Sequence, residues 1–189
     1  MAAEIVSVRI GGEEKMSMGM VDRAVAGRRG AVADVEASLP PLALSLVTLG
    51  VADLAASAAF YGALGMVRRD RATTGVVFFQ ADGRRQPGAG GVVLALYPRH
   101  ELAADAGVIP GRPGSFGGIA LACNRSSRAE VDATLARAMA AGGRPLRPAQ
   151  DTFWGGYSGY VADPDGYPWE IAHNPGFPLD SEGRVILPE

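Results

Sequence analysis

Between Pro41 and Pro175 one order of elements is written twice: strand, helix, strand, strand, strand. In the first half "LALSLVTLGV" reads as a strand, Asp53 can cap a helix from Leu54 to Leu64, and Gly65 stops it. "GVVFFQA" and "GVVLALYP" read as two more strands, and "RHELAADAG" as a short connecting helix. In the second half "GGIALACN" is a strand, and Ser127 and Glu130 have the spacing of a capping box. Val131, Leu135 and Met139 then mark one face of a helix that stops at Gly142-Gly143. "RPLRP", "GYSGYVAD" and "YPWEIAH" complete the strands, the last two joined by the turn Asp163-Pro164-Asp165-Gly166. The halves align weakly: residues 47–54 with 119–126, and 94–98 with 169–173. The expected fold is α+β, with βαβββ modules at 42–98 and 115–175 related by a pseudo-two-fold axis.

The bulk properties exclude several classes of function. Half of the 189 residues are hydrophobic (48%) and the net charge is −2 with no basic run, which argues against a nucleic-acid partner. The longest apolar runs fall far short of a membrane span, and "MAAEIVSVRIGGEEK" lacks the pattern of a signal peptide. The arginine pair in "AGRRGAVADVEA" is followed by Asp and Glu, so it does not read as an export signal. Cys123 is the single cysteine, which rules out an intramolecular disulfide or a cysteine-based zinc cluster and fits a cytoplasmic location. Lys15 is the only lysine, which leaves little room for Schiff-base chemistry. Residues 1–41 form an N-terminal arm without sustained period. "IVSVRI" suggests a short strand and residues 22–39 a weak helix broken by Gly27 and Gly30, with poor order as the alternative. Residues 176–189 form a C-terminal tail expected to wrap irregularly over the surface.

Three stretches, "VTLGVADLAASAAFYGALGM", "FGGIALACNRSSRAEVD" and "YVADPDGYPWEIAHNP", resemble the vicinal oxygen chelate superfamily. That group includes glyoxalase I, extradiol dioxygenases and bleomycin resistance proteins. With the doubled layout the resemblance covers about residues 42–175. It implies two modules around a cupped mixed sheet, a homodimer, and in the enzymes a divalent metal held from the first and last strand of each half. Carried over position by position, the ligands would fall at Leu46, Ala95, Gly118 and Glu170. Only Glu170 can donate to a metal; a divalent site normally needs three or four donors. His100 lies in the linker after Pro98, and His173 is three residues beyond Glu170, so strand alternation turns it to the other face. No metal or other cofactor is therefore expected.

Parity with Glu170 brings Thr48, Tyr97 and Asn124 toward the cup, and Trp154, Tyr157 and Tyr160 can supply flat walls for a planar ligand. Strand aromatics are more often core, and Cys123 reads as a buried apolar filler. Glu170 has three readings: a residual carboxylate bonded to a neighbouring Tyr or Trp, an anchor for a ligand amine or hydroxyl, or a catalytic general base. The resulting expectation is a metal-independent protein that binds an unknown small molecule. The alternatives are a metal-dependent lyase, isomerase or dioxygenase, and a metal-free enzyme that uses Glu170 as base.

Overall fold

The computed structural model describes residues 39–69, 74–81, 91–112 and 114–187. Nearly all of the N-terminal arm, with its expected strand and helix, lies outside them, as does most of the loop between the strands around Phe79 and Leu94. The chain divides into two compact units, Met1–Ala43 and Leu44–Glu189, and the second carries every described element.

These elements are β1 (Leu46–Val51), α1 (Leu54–Ala63), β2 (Val67–Arg68), β3 (Val77–Gln80), β4 (Val93–Pro98), α2 (Arg99–Asp105), β5 (Leu121–Asn124), α3 (Arg128–Ala140), β6 (Arg144–Asp151), β7 (Tyr157–Ala162) and β8 (Pro168–His173). They build two mixed four-stranded sheets of the same plan, β1-β4-β3-β2 and β5-β8-β7-β6. In each, the first strand of the module runs parallel to the last, and the remaining pairs are antiparallel. The fold is α+β with paired βαβββ modules. No ladder joins the two sheets among the described residues.

Local chemistry sets the helix starts. The Asp53 carboxylate accepts from the backbone N–H groups of Ala55 and Ala56, which α1 leaves unpaired. Ser127 Oγ accepts from Glu130 N, while the Glu130 carboxylate reaches back to Ser126 N. The inner face of α3 differs from expectation at its end. Val131, Leu135 and Ala138 are buried, whereas Met139 is 45% exposed. The third contact falls at a three-residue step because an α-helix turns about every 3.6 residues, so a second four-residue step drifts off the buried face.

Strand alternation sorts the two faces of each sheet. Leu49, Leu94, Leu96, Val77 and Phe79 of the first sheet join Val161, Trp169 and Ile171 of the second, with Phe60, Tyr61, Val131 and Leu135 of the helices, in one core. Gly159 is required on β7: a Cβ there would come within 2.7 Å of Leu135 Cδ1 and 2.9 Å of Ala149 N.

The turn between β7 and β8 ties the second module to the first. Asp163 is 3% exposed and accepts from Tyr61 Oη of α1, and from the backbone of Asp165 and Tyr167. Asp165 accepts from Ala52 N and Ser57 Oγ at the start of α1, with the Arg99 guanidinium 3.6 Å away. Tyr167 Oη donates to Gly50 O, and Trp169 Nε1 donates to Tyr61 Oη. Gly166 has a left-handed φ of 93°, which a turn residue without Cβ adopts freely. In the tail, Leu179 bridges Val185, and Asp180 accepts from Glu182 N, Arg184 N and Arg184 Nε.

Candidate functional site

On β8, Trp169 and Ile171 enter the core, so Glu170 lies on the face of the sheet away from α3. It is half-buried. Its lateral neighbours are Tyr160 on β7 and Ala122 on β5. Burial pushes the Tyr160 hydroxyl above its ordinary pKa; the negative charge of Glu170 pushes the same way, and Arg147 opposes them. The Arg147 guanidinium lies 4.7 Å above the Tyr160 ring, and its Nη2 donates to Oγ of Ser158, which is fully buried. Glu170, Tyr160, Arg147 and Ser158 thus form one polar cluster on that face. It presents a carboxylate, a phenol and a guanidinium to an incoming molecule.

The other expected ligand contacts are distributed differently. Thr48 and Tyr97 share the corresponding face of the first sheet, where Thr48 pairs with Ala95. Helix α2 covers the far end of that face: a Cβ on Gly50 would meet Arg99 Cα and Leu102 Cδ2, each at 3.2 Å. The Tyr97 hydroxyl faces Asp105 and Glu101 of this helix, and its pKa is raised by burial first and then by those charges. Asn124 ends β5 beside Ala172. Tyr157 is not on the Glu170 face. It alternates with Ser158, lies on the helix-covered side and donates to Asp132 of α3 at 2.9 Å, with Arg128 over its ring. Trp154 belongs to the loop between β6 and β7, where its ring covers Gly156 so closely that a Cβ there would overlap it. Tyr157 is therefore not a wall of the cluster.

Arg147 and Ser158 were not legible as site residues. The β6–β7 ladder slips register on both sides of Arg147, so alternation counted along "RPLRP" does not place it. Ladder positions also displace one sequence equivalence by two residues. Thr48 stands beside Ala95 and Ala122 beside Glu170, whereas the aligned halves match Leu46 with Gly118. Gly118 precedes β5 and has a φ of 79°.

A divalent metal does not fit this donor set. Around Glu170 stand Ala122, Ala172, Tyr160 and a guanidinium, and no group of three His, Cys, Asp or Glu side chains converges among the described residues. His173 faces the other side, where Nδ1 lies 3.1 Å from Arg125 O. The carboxylates of the β7–β8 turn are held by α1, as described above.

The doubled mixed sheet with this polar face defines a glyoxalase-like architecture. Residues 43–171 match the Glyoxalase/Bleomycin resistance protein/Dioxygenase superfamily, and the chain belongs to that family. Among solved structures it is similar to a glyoxalase-related enzyme from Fulvimarina pelagi at 40% identity, with a TM-score of 0.66 over 78% of this chain and 99% of that one. A glyoxalase/bleomycin resistance protein/dioxygenase from Nocardioides is 25% identical, with a TM-score of 0.56 over 78% and 93% of the two chains. A lactoylglutathione lyase from Agrobacterium tumefaciens is 30% identical, with a TM-score of 0.50 over 71% and 95%. Nothing matches among curated proteins. No helix among the described residues is long and apolar enough to cross a membrane.

Proposed function

We propose that this chain is a metal-independent small-molecule binding protein of the glyoxalase and bleomycin-resistance type, working in the cytoplasm as a homodimer. The observation that carries this reading is the environment of Glu170: a lone carboxylate paired across the ladder with Tyr160, with Arg147 stacked on that ring and alanines at the remaining positions. Such a cluster suits a ligand that offers a hydroxyl or amine to Glu170 and a planar group to the Tyr160–Arg147 stack. Exposed Leu46 and Ile119, at 45% and 60%, support a second copy covering apolar surface near the first strands. The edge strand β6 is an unsuitable contact, because Pro145 and Pro148 lack the N–H that strand addition needs.

A second reading, a metal-dependent lyase, rests on the 30% identity to the Agrobacterium protein. Metal analysis of purified, dialysed protein separates the two. The proposal expects no stoichiometric zinc, nickel, iron or manganese. Metal that survives dialysis and disappears in Glu170→Gln overturns it. Light scattering at micromolar concentration is expected to give twice the chain mass.

A further inference from the structure

A cavity of about 500 Å³ lies at the seam between the modules, lined from α1 and β2 on one side and from β5, β8 and α3 on the other. Trp169 and Ile171 line it, so it opens on the helix-covered side of the second sheet, away from the Glu170 carboxylate. Its size is that of a pocket for a compact organic molecule. Phe60, Leu64, Met66, Val161, Trp169 and Ile171 supply an apolar floor. Arg125 and Arg137 are also in the lining. Arg125 spends its Nε on Thr134 Oγ1, which fixes the fork and leaves the terminal nitrogens available. Neither guanidinium forms an ion pair with a described residue. The tail closes one wall with Glu182, Gly183, Arg184 and Val185, held in place by the Asp180 hub. Arg184 is paired with Asp180, and Glu182 is the one acid among the described residues of the lining.

We propose that this seam cavity is a second binding site, for a compact amphipathic carboxylate whose apolar body packs on Trp169 and Phe60 while its anionic end meets Arg125 and Arg137. An apolar floor rejects a fully hydrated ion, and guanidinium groups in the lining favour a carboxylate over a neutral molecule of the same shape. The site is independent of Glu170 and stands or falls separately from the function proposed above.

Cys123 provides the test, since it lines the cavity and is the only cysteine in the chain. Its thiol is part-buried and its pKa is raised by burial, so alkylation by iodoacetamide is slow and is followed by mass spectrometry at a pH of about 8.5. Naphthoate is expected to protect Cys123 saturably, and naphthalenemethanol more weakly. Arg137→Gln, on the exposed side of α3, should weaken naphthoate protection about tenfold and leave the alcohol unchanged, with Arg137→Lys recovering most of the loss. Glu170→Gln should leave protection intact. Absence of protection, equal protection in Arg137→Gln, or loss of protection in Glu170→Gln would each overturn the assignment. Circular dichroism melts confirm that the variants are folded.

Discussion

The hydroxyl of Tyr61 donates to the carboxylate of Asp163 at 2.5 Å, joining α1 to a turn 102 residues away. The same oxygen accepts from Trp169 Nε1 at 3.2 Å, and its ring packs against Phe60, Phe79 and Trp169. Tyr61→Phe keeps the ring and removes both hydrogen bonds, leaving a buried carboxylate short of a donor. The expected cost is about 1–3 kcal/mol, read from urea unfolding. A change within error would show that the contact adds nothing to stability.

Asp163 gives a signed pH prediction. Burial raises its pKa above the ordinary value, and this outweighs the hydrogen bonds from Tyr61 and the turn backbone that lower it. Its contribution to stability is therefore complete below the unfolded value of about 4 and is lost as pH rises through the folded one. Glu130 and Asp180, held low by hydrogen bonds, change in the opposite sense and oppose Asp163 in the whole-protein curve. The difference between wild type and Asp163→Asn isolates the group. The gap in urea midpoint should narrow from pH about 4 to pH about 7; a gap that widens refutes the burial argument.

The polar cluster can be read through Tyr160. Removing the negative charge in Glu170→Gln should lower the phenol pKa, and removing the positive charge in Arg147→Met should raise it. Carbon-13 tyrosine resonances followed against pH report both directions. If neither variant moves the Tyr160 titration, the three groups are not a unit.

Two glycines should respond oppositely to alanine. At Gly159 the added methyl meets Leu135 and the Ala149 backbone, and overpacking of this kind costs about 1–3 kcal/mol. Gly62 lies within α1 with open space where its Cβ would stand, so Gly62→Ala should stabilise by about 0.5–1 kcal/mol. Thermal melts of the two variants are expected to shift in opposite directions.

Features governed by local rules were legible in the sequence. The Asp53 cap and the Ser127–Glu130 box follow from spacing along a few residues. The outward turn of Glu170 follows from Trp169 and Ile171 beside it. What was hidden depends on partners distant in sequence. Strand β2 has two residues, too few to show a period. Arg147 reaches the Tyr160 ring only because the ladder slips beside it. Asp163 and Asp165 read as turn residues, which they are. That local explanation concealed their bonds to α1, more than a hundred positions earlier.

Those bonds also set an order in time. While the chain is being synthesised, the first module emerges with β1 through β4 complete, but Gly50 O, Ala52 N, Ser57 Oγ and Tyr61 Oη still await acceptors and donors from residues 163–167. Until those last residues leave the ribosome, the nascent first half exposes an apolar helix face and unpaired polar groups together. Contacts this far apart close late and slow folding. A message truncated before codon 163 should therefore yield a half-protein that chaperones hold rather than a stable single module.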